Sequence, residues 1–382
     1  MLTILVVFIT IAYLVVIALL TYGFDKVKNF KLQDLQPKTK FSVVIPFRNE
    51  AENLPKLLAS ISNLNYPKAM FEVILIDDDS EDDSVSIIEN FVNTSRKNHD
   101  TLVDAIKIIK NSRTSNSPKK DAITSAIKIS KFNWIVTTDA DCLLPKYWLD
   151  TFDECIQTRQ VNCIVAPVTY HGKTSFFNRF QTLDFLSLQG ATIGGFGIKK
   201  PFMCNGGNFA YCKSDFYTVN GFDGNTTISS GDDVFLLEKL RHLDAKKVYY
   251  LKSKHAIVTT NPTETTKQLI QQRLRWASKT SNYKYWFAKL VGLIVLLGNL
   301  IFIGLIPAVL FTNLSLKIGI ALFVIKFSID FLLLFKTSRF FKQENLLLSY
   351  LLSSFIYPFF NVYIAFLSFF TSYEWKGRSV KN

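Results

Sequence analysis

The 382-residue chain is 48% apolar with a formal charge of +13, which is too apolar for an ordinary soluble protein and leaves room for one large or two small domains. The basic residues gather beside apolar runs and form no soluble patch with base-stacking aromatics, so nucleic acid is disfavoured as a partner and anionic lipid headgroups are favoured. Five cysteines without C-x-x-C spacing or a nearby histidine cluster exclude a disulfide framework and leave reduced thiols.

Residues 2 to 22 carry no charge. As a helix rising about 1.5 Å per residue, they would be roughly 30 Å long, the thickness of a bilayer core. With no basic start and no small-residue cleavage site, residues 1–24 read as an uncleaved anchor. Residues 25–40 form a basic linker through Lys26, Lys28, Lys31, Lys38 and Lys40, which the positive-inside rule assigns to the cytoplasm. The region 41–266 that follows is then cytoplasmic.

Within that region, Phe41-Ser-Val-Val-Ile45 predicts a buried strand, and Leu54, Leu57, Leu58 and Ile61 mark one face of the helix after it. Phe71–Ile76 repeats the pattern and ends in Asp77-Asp-Asp-Ser80, followed by Val85, Ile87, Ile88 and Phe91 at helical spacing. The runs Ile106–Ile109 and Trp134–Val136 continue the alternation. Strand–helix alternation with polar residues at strand ends describes a doubly wound, mainly parallel α/β sheet that binds a nucleotide. No G-x-G-x-x-G or G-x-x-x-x-G-K-[ST] is present, which disfavours dinucleotide oxidoreductases and P-loop enzymes. Without a glycine cradle, a diphosphate needs a metal. Asp139 and Asp141 close the Trp134–Val136 run on one side of the chain, and two such carboxylates suit Mg2+ or Mn2+. None of His99, His171, His242 and His255 has a metal-like or triad neighbour in sequence.

Further along, Gln272, Arg275 and Trp276 share one face if 267–285 is helical. The same segment, with Arg273, Lys279, Lys284, Tyr283, Tyr285 and Trp286, reads as an amphipathic interfacial helix. Upstream, Phe176, Phe177, Phe180 and Phe185 read as core in preference to a bilayer-facing surface. Residues 286–373 hold apolar runs at 286–312, 316–335 and 345–373, and the first two read as spanning helices. The third is interrupted by Pro358 and Asn361. The cytoplasmic bias of Lys336, Arg339 and Lys342 and of the basic tail 374–382 favours it as a re-entrant or surface-lying element over a span.

Val43-Val-Ile-Pro-Phe-Arg-Asn-Glu50, Ile76-Asp-Asp-Asp-Ser80, Asp139-Ala-Asp141, Gly231-Asp-Asp233 and Gln272-Arg-Leu-Arg-Trp276 occur in the order and approximate spacing seen in family 2 glycosyltransferases of GT-A fold. Over roughly residues 40 to 280 the chain resembles membrane-anchored members that glycosylate lipids or make polysaccharide. The resemblance implies an inverting transfer from a nucleotide sugar, a UDP-sugar by preference, to a lipid or lipid-linked hydroxyl at the cytoplasmic face of the bacterial inner membrane. It implies that Asp77 and Asp78 contact the base and ribose, that Lys119 lies near the diphosphate with Lys120 as a competitor, that Asp139 faces the donor ribose or the metal, and that Asp141 ligates the metal. It makes Asp233 the base that takes the acceptor proton, beside Asp232, and places Gln272, Arg275 and Trp276 on the donor. Gly206, Gly207 and Asn208 would border the acceptor. Two departures stand out: Asp79 replaces the family's usual glycine, and Pro118 the glycine before the lysine.

Two rival chemistries remain. A processive polysaccharide synthase shares Q-x-x-R-W but usually has more spanning helices. A Mg2+-dependent phosphohydrolase would use an aspartyl nucleophile in D-x-D and leaves the later motifs unexplained. A non-catalytic membrane module that binds UDP without turnover is the third reading.

Overall fold

The computed structural model describes residues 2–97, 101–172, 175–312, 314–371, 373–375 and 378–380. His99, Asn313 and the Lys376-Gly377 pair of the basic tail lie outside the described residues. After α1 (Leu2–Lys26), strand and helix alternate through β1 (Phe41–Phe47), α2 (Leu54–Ser62), β2 (Phe71–Asp77), α3 (Ser84–Lys97), β3 (Ile106–Lys110), α4 (Pro118–Ile129) and β4 (Trp134–Thr137). The chain continues through β5 (Cys142–Leu143), α5 (Trp148–Thr158), β6 (Cys163–Val165), β7 (Val168–Tyr170), α6 (Phe176–Gly197), β8 (Phe209–Cys212), α7 (Lys213–Thr218), α8 (Asp232–Asp244), β9 (Val248–Tyr250) and β10 (Val258–Thr260). Helices α9 (Thr266–Ser278), α10 (Trp286–Phe311), α11 (Leu316–Phe341) and α12 (Tyr350–Ser368) follow. Residues 28–171 and 204–261 make one compact unit, and residues 1–27, 172–203 and 262–382 make another.

The first unit is built on a sheet of order β3-β2-β1-β4-β8-β6-β9. Strands β3, β2, β1 and β4 pair in parallel, β8 runs against both of its neighbours, and β6 and β9 pair in parallel. The inner strands are mainly apolar because helices cover both faces, and the buried Ser42 and Glu72 satisfy one another through a 2.6 Å hydrogen bond. Leu54, Leu57, Leu58 and Ile61 of α2 are buried as their spacing predicts, whereas Ile88 is the buried member of the α3 set. From β1 the chain moves outward to β2 and β3, then returns to lay β4 on the other side of β1. That reversal opens a crevice at the carboxyl ends of β1 and β4, where doubly wound sheets bind ligands.

The basic linker is an ordered strap. Backbone N–H groups of Gln33 and Leu35 donate to the Glu154 carboxylate at 2.6 and 3.0 Å, and those of Lys38 and Thr39 to Asp153 at 3.2 and 2.9 Å. Both acids are buried in α5, and backbone amides supply the donors that such burial demands. Lys28, Lys31, Lys38 and Lys40 remain exposed.

The second unit gathers the apolar helices. Among the described residues, four segments are long and apolar enough to cross a membrane: Thr3–Lys26, Trp286–Phe311, Leu316–Phe341 and Glu344–Ser368. Helix α6 joins them, packed backbone to backbone on α1. A side chain added at Gly194 or Gly197 would strike the backbone of Leu20 or Gly23. Phe180 and Phe185 are buried in this unit as expected of core residues, while Phe176 is exposed. The third apolar run forms α12, which continues through Pro358 and Asn361 as one helix. Pro358 is itself buried, and neighbouring helices help such a helix tolerate the missing proline N–H.

Polar groups pin these helices near their midpoints. Tyr13 Oη donates to Asp330 at 2.6 Å, Lys326 Nζ pairs with Asp330 at 2.7 Å, and Asn299 Nδ2 donates to Asn361 Oδ1 at 3.1 Å. Arg273, read among the headgroup-facing bases, is instead buried. Its Nε meets Asp184 of α6 at 2.6 Å, and its guanidinium lies 4.2 Å over the Trp276 ring. Lys326→Met leaves Asp330 without its cation in an apolar span and is expected to cost about 3 kcal/mol. Adding Asp330→Leu should recover most of that loss when both proteins are melted in the same detergent.

Candidate active site

The first acidic strand end is shaped by backbone strain that a glycine would avoid. Asp79 adopts φ of +68°, the left-handed region, and the chain turns sharply after β2. Asp78 is 3% exposed, and its Oδ1 accepts from Asn111 Nδ2 at 2.7 Å and Arg113 Nε at 2.9 Å. Asp77 Oδ1 caps the turn by accepting from Ser80 N–H at 2.9 Å. Arg48 anchors the loop through the carbonyls of Asp78 and Asp79 and through Glu81 at 2.8 Å. Asn111 and Arg113 carried no role from sequence. Their signal was a polar stretch after β3, at the same sheet edge as the acids.

At the end of β4 the acids converge. Ligand atoms of Asp139, Asp141 and Cys142 lie within 4.8 Å of one another. Two carboxylate oxygens form a hard donor set that fits Mg2+ or Mn2+. Burial, with Asp141 and Asp139 alongside, pushes the Cys142 thiol well above its ordinary range, so it stays protonated at neutral pH. Lys119 enters from the first turn of α4, its Nζ 2.7 Å from Asp139 Oδ1 and 3.3 Å from Asp232 Oδ2. Burial works against this ammonium, but Asp139, Asp232 and Asp233 outweigh it and hold its pKa above the usual lysine range. Lys120 faces elsewhere: its buried Nζ donates to the carbonyls of Asn225 and Ile228, both at 2.7 Å.

That second lysine steadies the segment leading to Gly231, whose φ of +80° turns the chain into α8. Lys239 adds bonds to the carbonyls of Val219, Gly221 and Asp223 at 3.2, 2.7 and 2.8 Å. Asp232 and Asp233 thus open α8, where the helix dipole favours negative charge. Asp233 Oδ2 accepts from Gly206 N–H at 3.1 Å, and its Oδ1 from Val234 N–H at 2.7 Å. A Cβ at Gly206 would stand 3.1 Å from Asp232 Oδ2 and 3.4 Å from Lys119 Nζ; one at Gly207 would stand 3.2 Å from Asp139 Oδ2. Glycines here let the backbone approach the acids closely.

Asn208, expected at the acceptor, is fully buried. Its Oδ1 accepts from Trp148 Nε1 at 2.9 Å, and its Nδ2 donates to the carbonyls of Pro167 and Ala256 at 2.8 and 2.7 Å. Gln272, Arg275 and Trp276 lie on α9, started by a capping box of Thr265 and Gln268, and belong to the unit of apolar helices. Trp276 lies against Phe185, with ring centroids 5.9 Å apart.

A family model described as glycosyl transferase family 2 matches residues 42–219, and one described as glycosyl transferase family group 2 matches residues 134–371. The second spans more than half of the chain, and the chain is a family 2 glycosyltransferase. Glycosyltransferase AglE of Haloferax volcanii is 39% identical over 62 residues, 16% of this chain and 20% of that protein. Poly(ribitol-phosphate) beta-N-acetylglucosaminyltransferase TarS of Staphylococcus aureus is 39% identical over 54 residues, 14% of this chain and 9% of that protein. The chain therefore matches a fifth or less of the length of these curated relatives. Among solved structures, mannosyltransferase PcManGT from Pyrobaculum calidifontis, in complex with GDP-Man and Mn2+, aligns with a TM-score of 0.58 at 15% identity. The alignment covers 93% of this chain and 99% of that one, and shares the GT-A fold.

Asn208→Ala would strand the Trp148 indole N–H and two buried carbonyls and leave a small cavity. A loss of about 2 to 4 kcal/mol in chemical denaturation is expected.

Proposed function

We propose that this enzyme moves a sugar from a nucleotide donor, a UDP-sugar, onto a hydroxyl of a lipid or lipid-linked acceptor at the cytoplasmic membrane face, with inversion. The observation that carries the proposal is the cluster of Asp139, Asp141, Lys119, Asp232 and Asp233 at the crevice between β1 and β4. Asp139 and Asp141 are the residues to hold the divalent ion. When bound, that ion neutralises charge on the departing nucleoside diphosphate. Lys119 offers the diphosphate a point charge. Asp78, held in place by Asn111 and Arg113, presents a carboxylate to the imide N–H of uracil.

In the transfer step the acceptor oxygen bonds to the anomeric carbon as the bond to the diphosphate oxygen breaks on the opposite face. Asp233 takes the hydroxyl proton in the same displacement, so no covalent enzyme intermediate is needed. Gly206 keeps the backbone beside Asp232 and Asp233 free of a side chain, and Gly207 does the same beside Asp139. The family resemblance also gives Gln272, Arg275 and Trp276 of α9 a role toward the donor, with arginine suited to phosphate oxygens. Exposed lysines on the strap and the apolar helices support a membrane-borne acceptor. The four candidate spans among the described residues are few for threading a polymer, which favours addition of a single sugar over processive synthesis.

Purified full-length protein in detergent should turn over a UDP-sugar with Mn2+ or Mg2+ and a lipid acceptor. Asp141→Ala and Asp233→Asn should each lower turnover at least about 100-fold. Retained activity in either variant removes the role given to that residue. Mass spectrometry of the product should show one added sugar, and a ladder of lengths would favour the processive reading.

A further inference from the structure

Lys119 occupies a carboxylate that the proposed metal site needs. Its Nζ lies 2.7 Å from Asp139 Oδ1 and 3.3 Å from Asp232 Oδ2, with the side chain 18% exposed. Gly206 leaves room for this bridge, since even a methyl there would stand 3.4 Å from the ammonium. Asp139 is therefore engaged by Lys119. A divalent ion arriving alone must displace the ammonium or share one carboxylate with it, and the two cations repel at short range. A nucleoside diphosphate arriving alone meets an ammonium already engaged by the carboxylates of Asp139 and Asp232. Arriving together, the two ligands relieve both conflicts. Phosphate oxygens receive the ammonium as the ion takes the carboxylates.

We infer that Lys119 makes divalent-ion binding conditional on the nucleoside diphosphate, by holding Asp139 until phosphate oxygens draw its ammonium away. The inference rests on the metal and donor reading given above. Lys119 is a positioning residue in this respect, and the coupling it carries is reciprocal: the ion strengthens nucleotide binding by the same factor as the nucleotide strengthens ion binding. The ligand-free protein is then protected from filling its site with adventitious cation.

Calorimetric titration of the full chain in detergent tests this, with Mn2+ added alone and in the presence of saturating UDP or GDP. The wild type should bind Mn2+ roughly tenfold tighter with nucleotide than without. Lys119→Met should bind Mn2+ alone roughly tenfold tighter than the wild type, and the nucleotide enhancement should fall toward one. Lys119→Arg, which keeps the charge, should retain the wild-type ratio, and so should Lys131→Met, which removes a lysine remote from the site. If Lys119→Met binds Mn2+ alone as weakly as the wild type and loses only nucleotide affinity, Lys119 is a plain diphosphate contact and the inference is overturned. Asp141→Asn separates the two levels. Unchanged Mn2+ binding in that variant would bring down the metal reading itself, whereas loss of Mn2+ there with no effect of Lys119→Met would overturn the coupling alone.

Discussion

Like charges crowded at the end of β4 are the constraint on which the rest of the catalytic unit depends. The Lys119 ammonium bridges Asp139 and Asp232 with Asp233 alongside, and Asp141 offers a ligand atom within 4.8 Å of one on Asp139. Such a cluster is costly unless dipoles, counter-ions or ligands offset it. The structure supplies two offsets of its own. Lys119 bridges two of the acids, and the opening turn of α8 and the Gly206 N–H direct positive dipoles at Asp233. What remains is a crevice lined with carboxylates at the end of β4, the feature on which the proposed metal and diphosphate roles rest.

The surroundings keep that cluster rigid by tying down loops with buried polar groups. Lys120 and Lys239 bind the carbonyls of the segment before α8. Asp121 accepts from the backbone N–H groups and hydroxyls of Thr114 and Ser115, which fixes the entry to α4 and thus the position of Lys119. Asn208 stitches three strand connections together from the interior. Each is a polar side chain saturated by backbone or indole partners, the condition under which burial is tolerated. The same rule operates among the apolar helices, where Lys326 with Asp330 and Arg273 with Asp184 are buried as pairs.

Much of this was legible in the linear chain. Apolar runs of β1, β2 and β4 and the helical spacing in α2 appear in the structure at nearly the predicted positions, because buried parallel strands impose a pattern that survives without tertiary context. The acids at the strand ends were legible for the same reason: the end of a strand in such a sheet is where polar residues are tolerated. Asn111 and Arg113 were not, since a polar residue in a loop carries no sign of which neighbour it will face. Arg273 was misread as a headgroup contact because its spacing alone does not reveal that Asp184, 89 positions earlier, supplies a buried partner. That Pro358 and Asn361 would leave the third apolar run helical was not legible, because the Asn361 side chain finds its partner in Asn299 of another helix.

The sequence by itself determined the fold class, the apolar segments and the family, because these follow from local periodicity and from short motifs whose order is covalent. Only the tertiary structure decided that Lys119 and not Lys120 meets the acids, that Asn208 is a buried brace, and that residues 172–203 pack with the apolar helices. Adjacent positions on a helix diverge by about 100°, so which lysine faces the crevice depends on how α4 rolls against the sheet. That roll is set by packing contacts from distant parts of the chain, which no local pattern encodes.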